Sequence, residues 1–287
     1  LIIIFAGVQN GIERVSKIMM PILIVLSVII AVYSVTRPGA LAGVKYFLVP
    51  NVKNFSWMTV VSAMGQMFYS LSIAMGILIT FGSYMKKDTA IEDSTRNVEV
   101  FDTGIAIMAG LMIIPAVFAF SGGDPDTLQA GPSLMFITIP KVFQNMGFGT
   151  VIGIVFFLLV LFAAVTSSIA LTESAVSTFE DELGWGRKKA TVLVGVIMLA
   201  LGSLSSLGYG PLAGIKIIGM QFLDLFDFLT NSVMMPIAAL LTSLLVSRVV
   251  GIDKIEEEII HGESAFRRKK VFVVMIKYLC PVFAIII

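Results

Sequence analysis

Three polar features stand inside otherwise apolar stretches of this 287-residue sequence, and each offers oxygen atoms to a hard cation. The first is Ser70-Leu71-Ser72, followed by Ala74 and Gly76, in the middle of the run MFYSLSIAMGILITFGSYMKK. Serines compete for main-chain hydrogen bonds and glycine tolerates turns that other residues resist, so this grouping predicts a spanning helix that breaks. Inside a bilayer a break survives only where protein or a water-filled cavity satisfies the freed backbone, and such breaks hold ions and small charged solutes. The competing reading is an unbroken helix whose small residues allow close packing. The second feature is the triplet Thr166-Ser167-Ser168 within FAAVTSSIAL. A helix brings the Ala163 carbonyl one turn before Thr166, so hydroxyls and carbonyl share a face on which a sodium ion finds ligands. Back-bonding of the hydroxyls to the preceding turn is the alternative. The third is Asp102, an acid near the start of another apolar run, where it marks a functional site or answers the helix dipole.

These features need a scaffold that lives in lipid. The chain is 57% hydrophobic and only 14% charged, with a mean hydropathy of +0.96; a soluble domain carries about a quarter charged residues. A net charge of +1 argues against a nucleic-acid surface. The single cysteine, Cys280, lies in an apolar run and reads as a packed thiol. Membrane-length runs are expected at about 18–35, 57–85, 101–120, 151–176, 190–207, 222–250 and 271–287. A short apolar piece at 1–8, a polar loop at 9–17 and a strong break at Arg37-Pro38-Gly39 complete the plan. The expectation is an all-α membrane protein of about seven transmembrane helices, with one helix broken near 69–75 and both chain ends cut from a longer protein. Alternate loops carry most of the basic residues, among them Arg14, Lys17, Lys86, Lys87, Arg187, Lys188, Lys189 and Arg267 to Lys270. That side is expected in the cytoplasm. The opposite loop at 121–146, with Gly122, Gly123, Asp124, Pro125, Asp126 and Ile139-Pro140, is long enough for a structured cap.

Several motifs then occur in one order along nearly the whole chain: GIERVSKIMMP, GQMFYSLSIAMG, FDTGIAIMAGLMIIPAVFAF, GPSLMFITIPKVF and FAAVTSSIALTESAVSTFEDEL. In this the sequence resembles the neurotransmitter:sodium symporter family, particularly its bacterial amino-acid transporters. The resemblance implies a partial inverted-repeat sodium-symporter fold in a single transporter domain, 1–287, with the second five-helix repeat at 57–250 and the extracellular cap at 121–146. It implies that the family's first three spans and most of the fourth are absent, so activity belongs to a longer parent.

The same resemblance assigns residues. One sodium site takes the Ser70 hydroxyl, with Asp102 at or beside the position that completes it; the other takes the Ala163 carbonyl and the hydroxyls of Thr166 and Ser167. The substrate pocket takes Tyr69, Ser72, Ala74, Met75, Ser167 and Leu171, with Tyr69 as lid, and Gln66 and Asp227 fit the outer gate. Met75 replaces an aromatic wall, and a flexible thioether leaves the substrate open. Animal members hold chloride near the position of Asp102, so this carboxylate is either a sodium ligand or the substitute for chloride. The function implied is sodium-coupled symport of an amino acid or related small zwitterion by a multi-pass protein of the cell membrane, with sodium and the lipid bilayer as partners and no nucleic acid. A sodium-coupled transporter of another solute, or a channel, on the same fold is the alternative. A channel needs a continuous polar stripe, whereas these hydroxyls cluster at one depth. An enzyme is disfavoured because the spans hold no paired acid and base. Glu180-Asp181-Glu182 reads equally as a solvated helix end or a gating contact. His261, near Glu256, Glu257, Glu258 and Glu263, has no second ligand at metal spacing.

Overall fold

Apolar runs of this length fold as helices because a helix satisfies its own internal N–H and C=O groups where water is absent. The computed structural model describes residues 1–124, 131–145 and 147–286. Pro125, Asp126 and Met146 of the expected cap, and Ile287 of the last expected span, lie outside the described residues. Among those described, the regular structure is helical, with one isolated antiparallel bridge between Ile217 and Met220. In chain order the helices are α1 (Ile2–Phe5), α2 (Val8–Val35), α3 (Ala40–Leu48), α4 (Trp57–Ser70), α5 (Ile77–Ser83), α6 (Ile91–Ser121) and α7 (Leu134–Gln144). They continue with α8 (Gly149–Leu183), α9 (Arg187–Leu207), α10 (Phe222–Val250), α11 (Ile252–Gly262) and α12 (269–286). Among the described residues five of these, α2, α6, α8, α9 and α10, are long and apolar enough to cross a membrane. At 35 residues α8 extends about 52 Å, well beyond a hydrocarbon core of about 30 Å.

The chain divides into two compact units. One comprises Ala6–Phe55 and Val100–Ser168. Its core gathers Ile30 of α2, Met112, Ala116 and Val117 of α6, Ile139, Val142 and Phe143 of α7, and Ile152, Phe156 and Leu159 of α8. Phe143 meets Phe156 edge-on at 5.4 Å between ring centres, an arrangement the ring quadrupoles favour. Ser34 is fully buried and donates to the Met112 carbonyl at 2.7 Å, so its hydroxyl is satisfied. Gly43 sets how closely α3 approaches α6: a Cβ there would lie 2.8 Å from the Pro115 Cα. Residues 9–17 depart from the expected loop. They are helical, with wide turns over Val8–Glu13 and regular α geometry from Arg14 onward. Gly7 at φ 84° starts the helix, and the Lys17–Glu13 pair at 2.7 Å bridges one turn of its polar face.

The other unit comprises Leu1–Phe5, Ser56–Glu99 and Ile169–Ile287. Here α4 opens on a capping box in which Ser56 Oγ accepts from the Thr59 N–H and the Ser56 N–H donates to Thr59 Oγ1. Wide turns at Phe228–Met234 and Leu245–Val250 flank Pro236 in α10, and Gly251 at φ 88° ends that helix. Leu1 packs on α9, where a Cβ on Gly195 would come within 2.8 Å of the leucine side chain.

Candidate functional site

The expected interruption is present. Helix α4 stops at Ser70, α5 starts at Ile77, and between them the chain turns through three left-handed residues, Ser72 at φ 55°, Ala74 at φ 62° and Gly76 at φ 77°. The N–H of Ile73 closes a wide turn on the Phe68 carbonyl at 2.9 Å, and the helical pattern resumes where the Thr80 N–H reaches the Gly76 carbonyl at 2.9 Å. Two non-glycine residues at positive φ are strained, and such strain persists where surrounding structure fixes it. Part of that structure is visible on the α8 side, since a Cβ on Gly76 would stand 2.7 Å from Ser174 Oγ. Gln66 and Tyr69 lie on α4 with exposed side chains, Ser70 is its last residue, and Ser72, Ala74 and Met75 occupy the turn itself, partly buried. Leu171, in the same unit, is exposed on α8.

In the other unit the triplet is helical throughout. Thr166 Oγ1 donates to the carbonyls of Phe162 at 3.1 Å and Ala163 at 3.0 Å. The back-bonded geometry therefore exists, and it also places the Thr166 hydroxyl oxygen beside the Ala163 carbonyl, with lone pairs left to accept a cation. Ser167 is exposed at the next position. Asp102 does not begin a helix: α6 starts at Ile91, its first turn holds Glu92 and Asp93, and Asp102 sits partly buried well inside. The dipole account of Asp102 is thereby removed. Asp227 accepts from Asn231 Nδ2 at 2.5 Å, one turn along α10.

A polar cluster that the reading of motifs passed over lies next to the break. Glu173 of α8 is fully buried and takes both arms of Arg187, Nη1 at 3.1 Å and Nη2 at 2.6 Å. Its Oε1 also accepts from Tyr84 Oη at 2.8 Å, while Arg187 reaches Glu180 at 3.2 Å and the Ile4 carbonyl at 3.0 Å. Thr80 of α5 meets Ser177 at 3.2 Å and Ser174 at 3.4 Å. The available signal was an acid inside the apolar run 151–176. Of the acidic triplet at the end of α8, Glu180 is thus paired, and Asp181 and Glu182 are exposed.

Comparison with known proteins agrees with this arrangement of elements. A family profile described as the sodium:neurotransmitter symporter family matches residues 1–287. Among curated proteins, the uncharacterized sodium-dependent transporter YhdH of Bacillus subtilis (strain 168) is 35% identical over 92% of this chain and 58% of its own length. An uncharacterized sodium-dependent transporter of Methanocaldococcus jannaschii is 30% identical over 90% of this chain and 52% of its own length. A third, from Haemophilus influenzae, is 31% identical over 100% of this chain and 62% of its own. The crystal structure of MhsT in complex with L-phenylalanine superposes with a TM-score of 0.84 at 34% identity, covering 99% of this chain and 64% of that one. The chain thus spans between half and two thirds of the length of these relatives, of which the three curated ones are named as sodium-dependent transporters.

Proposed function

Because this chain belongs to the sodium:neurotransmitter symporter family, and is thereby part of a multi-pass protein of the cell membrane, we propose that the whole protein couples sodium entry to uptake of an amino acid or related small zwitterion. The observation that carries the proposal is the break at residues 71–76, which interrupts the regular helix beside Ser70 and Ser72 and leaves two half-helices. In this reading one sodium ion is held by Ser70 and Asp102, and a second by the Ala163 carbonyl, Thr166 and Ser167. The substrate meets Tyr69, Ser72, Ala74, Met75, Ser167 and Leu171, with Gln66 and Asp227 at the outer gate. Residues 57–250 act as the second repeat and 121–146 as the outer cap. Sodium biases the protein toward the state that binds substrate, and substrate reciprocally raises affinity for sodium.

The phenylalanine bound to MhsT makes hydrophobic amino acids the first compounds to try. The test is a binding screen of the full-length protein against the common amino acids with and without sodium, repeated on Thr166→Val with Ser167→Ala and on Ser168→Ala. Sodium-dependent binding of at least one amino acid is expected, with the double variant losing sodium dependence far more than Ser168→Ala. Absence of any sodium-dependent binder defeats the proposal.

A further inference from the structure

Away from the candidate site, the chain that leaves the break is tied to a distant loop by carboxylates. Residues 84–90 connect α5 to α6, and residues 263–268 connect α11 to α12. Glu263 accepts from the main-chain N–H of Glu92 at 2.6 Å, and Glu92 accepts from the main-chain N–H of Arg267 at 2.9 Å. Each carboxylate therefore satisfies the backbone of the other segment. The N–H of Glu92 belongs to the first turn of α6 and lacks a helical acceptor, so Glu263 supplies across space an oxygen that the methyl side chain of Ala90, just before the helix, cannot give. Arg268 adds contacts to Glu99 at 2.9 Å and to Glu92 at 3.8 Å, and Lys269 pairs with Glu256 of α11. The two segments also meet backbone to backbone, because a Cβ on Gly262 would lie 2.4 Å from the Thr89 carbonyl oxygen.

Exposure decides which of these contacts matter. The side chain of Glu92 is 11% exposed, against 46% for Arg268 and 47% for Glu99. An ion pair in water contributes little, whereas a carboxylate on a part-buried N–H, as Glu263 on Glu92, makes a charge-assisted bond that water replaces poorly. The bond from the Arg267 N–H is more exposed, but the carboxylate that accepts it is not. The attachment therefore rests on Glu92 and Glu263, with Arg268 as a minor addition.

We propose that Glu92 and Glu263 form a reciprocal clasp that positions the connection leaving the broken helix, so that α5 opens only when the segment between α11 and α12 releases it. The link to opening rests on the transport reading above; the clasp itself does not. Hydrogen exchange followed by mass spectrometry on the full-length protein, in sodium and in potassium, tests both. Glu92→Gln and Glu263→Gln are each expected to speed exchange about fivefold in both 89–93 and 264–268, with the effect reaching α5, while Arg268→Gln changes them less than about twofold. Gly262→Ala, which keeps both carboxylates, is expected to loosen the same two segments. The clasp is overturned if each glutamine variant loosens only one segment, if Gly262→Ala loosens neither, or if exchange in α5 stays at the wild-type rate. A wild-type protein whose residues 70–76 exchange equally in sodium and potassium defeats the transport reading while leaving the clasp result intact.

Discussion

An ionisable residue inside a membrane helix marks a functional candidate, and at Asp102 the helix N-terminus does not account for it, because α6 starts at Ile91 and Glu92 and Asp93 hold its first turn. Two sodium ions at the midplane would carry charge that the bilayer tolerates poorly, and a carboxylate beside them offsets it whether it touches sodium or stands where chloride would sit. Uptake by the full-length protein is accordingly expected to be equal in chloride and gluconate media. Asp102→Ser is expected to make uptake either absent or chloride-requiring, and full uptake in gluconate by that variant removes the role. Residue types alone singled out Thr166, Ser167, Ser168 and Asp102 as candidates, because polar groups in an apolar run are conspicuous one at a time. Glu173 lay in an expected span as plainly as Asp102, yet its partners Arg187 and Tyr84 are brought to it only by folding.

At the scale of the element, the break was legible because its cause is local. Serines, a small residue and a glycine weaken helix wherever they sit together, and the structure turns at 71–76 where 69–75 was expected. Residues 9–17 misled for a related reason: Gln9, Asn10, Glu13 and Arg14 look like a loop, but a helix accepts them when its polar face is bridged by Glu13 and Lys17. The start of α6 was placed too late because its first turns are polar and only its later part is apolar. Gly76 offers a direct test of how the break is held. An alanine there must adopt φ near 77° and fit a Cβ 2.7 Å from Ser174 Oγ. The left-handed conformation alone costs roughly 1–2 kcal/mol, and the contact adds to it. Gly76→Ala should lower the unfolding temperature of the full-length protein in detergent, and adding Ser174→Gly should recover the steric share while the conformational share remains. Equal stability of Gly76→Ala and wild type would show that the turn is not fixed by α8.

Across the molecule, the buried ion pair gathers segments that the sequence keeps far apart. Arg187 at the start of α9 binds Glu173 and Glu180 of α8 and the Ile4 carbonyl of α1, and Glu173 binds Tyr84 beyond α5. All of these lie in one compact unit, and Ser174, beside Glu173, touches the break at Gly76. Sequence pattern could supply the order of the apolar runs, since hydropathy is written along the chain, but not this junction, which is made by packing. Its energetics are asymmetric. Desolvating two charges uses most of their attraction, whereas removing one partner strands the other, at a cost of about 3–5 kcal/mol. With Glu173 at 0% and Arg187 at 25% side-chain exposure, Arg187→Gln leaves an almost dry carboxylate behind and is expected to be the most damaging change. Glu173→Gln leaves Arg187 with Glu180 at 3.2 Å and keeps an acceptor for Tyr84, so it should do less harm. The pair Glu173→Gln with Arg187→Gln should be more stable than Arg187→Gln alone, measured by thermal unfolding of the purified full-length protein. If the double variant is as unstable as the sum of the two singles, the groups act independently and the junction is not held by their charge.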